Sequence, residues 1–222
     1  MQLKCLAQGS TGNCWILKHG QEMLLLDAGI PSKQIVKGID YNLMGVQGVL
    51  ISHTHKDHAL AVNDLEKMGL KVFKPYETDQ RVRKYGSFKV QAFSVPHGNC
   101  ECYGFYIKIA DRRLIYATDF EYLPYTFFKQ AITDFVIECN YQNEYLNKDA
   151  ENLLHKVTGH CELETTIGIV KANLTSELQN VIITHLGVET CNGLECVGAI
   201  KRVVPETVKV DYAQAGRTWY LE

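Results

Sequence analysis

The sequence predicts an α/β fold, of the α+β kind, with helices on the outer faces of packed β-sheets. Three observations support this. Short apolar runs bounded by Gly, Asn and Asp dominate the first third of the chain. Apolar strand runs alternate with helical patterns after that. The 222 residues are 46% hydrophobic and 22% charged, an ordinary globular composition with enough material for a sizeable core. No internal repeat, low-complexity segment or linker interrupts the pattern, so one domain over 1–222 is expected.

Taken in order, Leu3–Ala7, Cys14–Lys18 and Met23–Asp27 are short apolar strands, separated by the loop Gly9-Ser10-Thr11-Gly12-Asn13 and a His19-Gly20 turn. Pro31 opens a helix through Lys37, because proline suits a first helical turn. Val49-Leu50-Ile51 reads as a buried strand, and Ala59–Met68 as a helix with Leu60, Leu65 and Met68 on one face. A short strand at Val72–Phe73 and a helix at Glu77–Lys84 follow. Phe88–Val95, Gly104–Ala110, Leu114–Ala117 and Phe135–Glu138 read as strands. Helices are expected at Lys148–Val157, Leu163–Ala172 and Leu194–Val203, and strands at Val181–Thr184, Thr207–Val210 and Thr218–Leu221.

Composition excludes some classes of function. No run of about 18 apolar residues is present to span a bilayer, and Met1-Gln2-Leu3-Lys4-Cys5 lacks the charged-then-apolar order of a signal peptide. A formal charge of −2 argues against a broad basic footprint for nucleic acid, although bound metal ions would add local positive charge that residue counts miss. The eight cysteines form no CxxC pair, so they read as reduced, buried residues of a cytoplasmic protein.

The chemistry concentrates in Ser52-His53-Thr54-His55-Lys56-Asp57-His58, directly after the buried strand ending at Ile51. On extended backbone, residues two apart point the same way, so His53 and His55 can grip one ion, while Asp57 and His58 face a second. Imidazole and carboxylate are the N and O ligands zinc accepts. Asp27, His97, Asp119 and His185 each stand just past the C-terminal end of an apolar strand, where they can converge on one edge of the sheets. His19 and His155 read as surface residues. Tyr122 and Tyr125, shortly after Asp119, are the aromatics placed to stack on a base; the rest of the aromatic run reads as core.

These motifs, in this order along nearly the whole chain, resemble the metallo-β-lactamase superfamily. The resemblance implies a four-layer αβ/βα sandwich: two mixed sheets face to face, helices outside. It implies a first metal on His53, His55 and His97, a second on Asp57, His58 and His185, and Asp119 bridging them, with Asp27 anchoring a ligand histidine. Gly9-Ser10-Thr11-Gly12-Asn13, Glu138-Cys139-Asn140, Gly159-His160 and Thr184-His185-Leu186-Gly187 are similar to the YycJ/WalJ-like branch, related to ribonuclease Z-type phosphodiesterases. The chain departs from that branch at Cys139-Asn140-Tyr141-Gln142, where Ser-Asn-His-Asp is usual, at Gly187, where Ser is, and at Ala61, where Gly is.

The implied function is a dinuclear metal-dependent hydrolase, a phosphodiesterase or nuclease acting on a nucleotide or nucleic acid through a metal-activated hydroxide. Two divalent ions are expected, Zn²⁺ first, with Mn²⁺ or Fe²⁺ as alternatives. Asp57 and His160 carry the catalytic assignment, His160 as proton donor to the leaving group; its alternative is an ordinary helix-terminal histidine. Asn13 and Asn140 are candidate substrate contacts, against ordinary turn chemistry. The rival activity is a thioester or lactone hydrolase of the glyoxalase II type, and a non-catalytic metal-retaining module is a third reading. The resemblance also implies a homodimer, and the lack of a long apolar run leads to the expectation of no membrane partner.

Overall fold

The computed structural model describes residues 1–147 and 149–221. Lys148, the first residue of an expected helix, and the side chain of His155 lie outside what it describes. The chain groups into two compact units, Met1–Ala92 with Gln214–Glu222, and Phe93–Ala213.

The first unit carries strands β1 (Gln2–Ala7), β2 (Cys14–His19), β3 (Glu22–Leu26), β4 (Val46–Leu50) and β5 (Val72–Phe73), and the C-terminal strand β13 (Thr218–Tyr220). They form one mixed sheet in the order β13-β1-β2-β3-β4-β5. β1, β2 and β3 pair antiparallel, whereas β4 and β5 run parallel to β3. Helices α1 (Ser32–Gly38), α2 (Lys56–Ala59) and α3 (Val62–Lys67) connect them. Ile35, Ile39, Val62 and Leu65 pack on Ile16, Leu25, Val49 and Ile51 of the sheet. Each such burial contributes roughly 1.5–3 kcal/mol.

The single helix expected over Ala59–Met68 is therefore two. Ala61 leaves the helical region at φ −94°, ψ 2°, and its N–H donates to Ala28 O at 2.9 Å rather than continuing the first helix. The helix expected at Glu77–Lys84 is also corrected. A 3₁₀ turn covers Pro75–Glu77, and Val82–Tyr85 is strand β6. β6 pairs antiparallel with β7 (Phe88–His97), Tyr85 opposite Phe88, across the two-residue turn Gly86-Ser87. Gly86 takes φ 55°, which that tight turn requires and a side chain resists. Cross-strand pairing outweighed helix propensity there.

The second unit carries β8 (Cys100–Ile109), β9 (Arg112–Ala117), β10 (Asp134–Glu138), α4 (Leu153–Gly159), α5 (Leu163–Ala172), β11 (Asn180–Thr184), α6 (Gly193–Lys201) and β12 (Lys209–Tyr212). Its strands run in the order β12-β11-β10-β9-β8-β7. β9 to β12 are mutually parallel, and β8 runs antiparallel to β9. Every residue of β10 and β11 is buried; their apolar centres, Phe135–Ile137 and Val181–Ile183, are what a parallel sheet covered on both faces requires. α5 and α6 press Val170, Ala199 and Ile200 into the cluster built by Phe135, Ile137, Val181 and Ile183. The observed architecture is thus α/β with two mixed sheets, as expected.

Parallel pairing sets where the chemistry falls. β9, β10 and β11 are neighbours running the same way, so Asp119, Glu138 and His185 all emerge at their C-terminal ends, where open parallel sheets place ligand sites. The opposite ends are closed by a buried ion pair. Arg112 Nε donates to Asp134 Oδ2 at 2.9 Å, while Thr133 Oγ1 and Asn180 Nδ2 donate to the same carboxylate at 2.7 Å each. Arg112→Ala would leave Asp134 buried without its cation, so it should lower stability by about 3–5 kcal/mol in urea denaturation. A loss below about 1 kcal/mol would show that the pair is solvated.

Candidate metal centre

Each unit carries one group of donors. In the first unit, Asp27 follows β3 in the left-handed region at φ 58°, an uncommon conformation for a non-glycine residue that persists when its surroundings over-determine it. Its N–H donates to Leu50 O at 2.8 Å, and its carboxylate is fully buried. Oδ1 accepts from both Ser52 N and Ser52 Oγ at 2.8 Å; Oδ2 lies 2.9 Å from His58 Nδ1. A carboxylate of this kind only accepts, so His58 Nδ1 carries the proton and Nε2 the lone pair. The Ser52 hydroxyl spends its hydrogen on Asp27, so its oxygen accepts from His53 Nδ1 at 3.0 Å. One carboxylate therefore sets the tautomers of two histidines.

The rings stand close together: His53 lies 4.6 Å from His55 and 4.3 Å from His58, centroid to centroid. Asp57 occupies the first turn of α2, with Oδ2 3.5 Å from His58 Nε2. A backbone seam holds this loop. Asn13 N donates to Asp57 O at 2.7 Å, Gly29 N to Asn13 O at 2.8 Å, and Ala28 N to His58 O at 2.8 Å. A Cβ on Gly29 would sit 1.6 Å from Asp57 O, so only glycine permits the approach. Asn13, expected as a substrate contact, is buried; its amide exchanges two hydrogen bonds with Gly9 and lies 2.8 Å from His58 Nε2.

In the second unit, His97 ends β7, and Asp119 and His185 follow β9 and β11 with φ of 54° and 53°. Three of the residues singled out from sequence, Asp27 included, thus share a strained turn directly after a strand. His97 Nδ1 donates to Gly159 O at 2.6 Å, which again leaves Nε2 as the lone-pair nitrogen. Burial favours the neutral ring and holds the His97 pKa below the ordinary histidine range, although Asp119 pulls it the other way. His185 Nε2 lies 3.0 Å from Asp119 Oδ1, and its Nδ1 lies 3.1 Å from Glu138 Oε1.

Glu138 was not among the site residues expected, and it is the hub of this group. It is fully buried at the end of β10, accepts from Phe120 N at 3.0 Å through Oε2, and holds His160 Nδ1 at 2.7 Å and His185 Nδ1 at 3.1 Å through Oε1. Burial would raise its pKa, but the two imidazoles lower it below the usual carboxylate range. The readable signal was a carboxylate closing an otherwise apolar strand next to the strands that lead to Asp119 and His185. Burial would lower the pKa of both histidines, yet the neighbouring carboxylates push His160 up to about 10 and His185 up to about 9.

The pocket therefore favours positive charge, and Asp119, Glu138, His160 and His185 offer ligand atoms all within 4.8 Å of one another. Buried imidazole nitrogens beside buried carboxylates form a donor set that suits zinc. His160 caps α4 and stacks on the His185 ring at 5.2 Å. Asn140, the other expected substrate contact, is buried and donates to His185 O at 2.9 Å, while Lys156 Nζ donates to its Oδ1 at 3.3 Å.

The fold is that of the metallo-β-lactamase superfamily, and residues 7–69 match that superfamily's profile. The crystal structure of the metallo-beta-lactamase fold protein YhfI from Bacillus subtilis aligns with a TM-score of 0.74 at 19% identity, over 98% of each chain. A diphosphatase from the PhnP family aligns with a TM-score of 0.68 at 12% identity, over 100% of this chain and 98% of its own. Among curated proteins, the exodeoxyribonuclease YycJ of Bacillus anthracis is 24% identical over 221 residues, 85% of this chain and 83% of its own. The resemblance read from the motifs thus holds at the level of fold and of named relatives.

Replacing Asp27 with Asn would put an amide where the His58 imidazole and the Ser52 hydroxyl now donate, and Ser52 in turn accepts from His53. Its effect should be a 10–100-fold loss of zinc affinity by competition with a chromophoric chelator, with the circular dichroism spectrum retained. Unchanged affinity would remove Asp27 from the centre.

Proposed function

We propose that the two groups of donors act together as one domain: a dinuclear metal-dependent hydrolase that cleaves phosphodiesters of nucleic acid, at a DNA end in the first instance. The reading rests on one observation above others. His53, His58, His97 and His185 each have Nδ1 against an internal partner, and it is Nε2 that faces other proposed ligands where the distances are known: His58 Nε2 lies 3.5 Å from Asp57 Oδ2 and His185 Nε2 3.0 Å from Asp119 Oδ1. The ligand set proposed is His53, His55 and His97 for one ion, Asp57, His58 and His185 for the other, and Asp119 for both. Zn²⁺ suits these donors best, ahead of Mn²⁺ or Fe²⁺. When bound, two such ions acidify a water molecule and neutralise charge on the substrate oxygens.

The chain's own residues supply the rest. His160 is held at Nδ1 by Glu138, carries a proton across the neutral range, and is 12% exposed. It is the group suited to protonating a departing alkoxide. Tyr122 and Tyr125, 50% and 45% exposed, offer faces for base stacking, worth roughly 1–3 kcal/mol each. Similarity to the exodeoxyribonuclease YycJ of Bacillus anthracis supports DNA as the substrate class. Free thiols throughout the described residues suit a cytoplasmic setting, and no helix there is long and apolar enough to cross a membrane.

Zinc- or manganese-loaded protein should hydrolyse bis-p-nitrophenyl phosphate and shorten DNA from its ends, and Asp57→Ala should abolish both while remaining folded. Turnover of an acyl thioester alone would overturn the reading in favour of a carbon-centred hydrolase. His160→Gln should cut DNA cleavage about 10²–10⁴-fold, yet affect the nitrophenyl ester far less, because nitrophenolate departs without a proton. Equal losses on both substrates would make His160 a structural residue.

A further inference from the structure

A cluster of three cysteines plays no part in the chemistry above. Cys139 follows β10, Cys191 precedes the Asn192 cap of α6, and Cys196 lies inside α6. Their sulfurs are 3.9 Å (Cys139–Cys191), 3.6 Å (Cys139–Cys196) and 3.3 Å (Cys191–Cys196) apart. Three sulfurs each about 2.3 Å from one ion would lie about 3.8 Å apart, close to what the fold already holds. We propose that Cys139, Cys191 and Cys196 form a second metal site, a three-thiolate seat for one thiophilic d¹⁰ cation, Cu⁺ or Zn²⁺.

The seat is built by backbone rather than by chance contact. Cys139 N donates to Thr184 O at 3.1 Å, Cys191 N to Gly187 O at 3.1 Å, Gly187 N to Asn140 O at 3.0 Å, and Cys196 N to Asn192 O at 3.0 Å. Gln142 Oε1, which accepts from Asn192 N at 2.7 Å, lies 3.5 Å from Cys196 Sγ and closes one side. Cys139 and Cys196 are fully buried, whereas Cys191 is partly exposed and gives an ion its way in. Coordination would release the thiol protons to solvent and leave net negative charge. Lys156 stands beside it, with Nζ donating to Thr190 Oγ1 at 3.0 Å and to Asn140 Oδ1 at 3.3 Å. Soft thiolates select Cu⁺ and Zn²⁺ over the hard cations that carboxylates prefer.

The location gives the site a purpose. Cys139 lies between Glu138 and Asn140, both of which hold His185. An ion on the thiolates would brace that segment from behind without touching substrate.

The test loads reduced, chelator-stripped full-length protein with Cu⁺ or Zn²⁺ in separate arms and reads X-ray absorption and bound metal. The proposal expects an absorption shell with three sulfurs at about 2.3 Å in at least one arm. It also expects one equivalent fewer in Cys191→Ser and in Cys196→Ala, both checked for folding, and no loss of that sulfur shell in His53→Ala. The arm that retains its metal against the other ion as competitor identifies the cation. A shell without sulfur in both arms, equal stoichiometry in the cysteine variants, or a Cys191–Cys196 disulfide in peptide maps of freshly isolated protein would overturn it.

Discussion

The proposed centre depends on one constraint: five of its histidines, all but His55, are held at Nδ1 by named partners. Asp27 accepts from His58 directly and from the Ser52 hydroxyl that accepts from His53; the Gly159 carbonyl accepts from His97; Glu138 holds His160 and His185. Anchoring fixes ring angle and, in His53, His58 and His97, the tautomer, so Nε2 carries the lone pair; in His185, whose pKa is pushed up to about 9, a bound cation would displace the Nε2 proton. A histidine free to rotate would lose side-chain entropy on binding, and one with the wrong tautomer could not bind at all.

That anchoring is costly, and the fold offsets the cost locally. Asp27, Asp119 and His185 all sit at positive φ, each a strain of order 1–3 kcal/mol. Strand ends make the strain tolerable: Asp27 N is tied to Leu50 O across the β3–β4 pair, and the parallel β9-β10-β11 ladder carries Asp119 and His185 on either side of Glu138. Burying a carboxylate such as Glu138 is expensive by itself. Two imidazoles and the Phe120 amide satisfy it, so charge and hydrogen bonding in the pocket are mutually supporting.

Much of this was legible from residues alone. The Ser52–His58 loop announces itself by ligand type and spacing, and Asp27, His97, Asp119 and His185 by following apolar runs. Other features were not. Glu138 looked like the polar end of a strand, because its role comes from two neighbours far away in sequence. Val82–Lys84 fell within the helix expected at Glu77–Lys84 because the partner strand lies beyond a Gly-Ser turn, and pairing depends on that partner. The break at Ala61 depends on a hydrogen bond to Ala28. The cysteine cluster escaped notice because its members, at 139, 191 and 196, match no short motif; only the α6 loop folding against β10 brings them together.

In the proposed centre Nε2 of these histidines meets two cations, and anomalous diffraction from crystals grown with zinc reads that directly. Two peaks about 3.5–4 Å apart are expected. One should be bonded through Nε2 of His53 and His97 at about 2.0–2.1 Å, the other through Nε2 of His58 and His185. Peaks confined to the cysteine sulfurs, ligation through Nδ1, or rings that hold no ion at saturating zinc would contradict it.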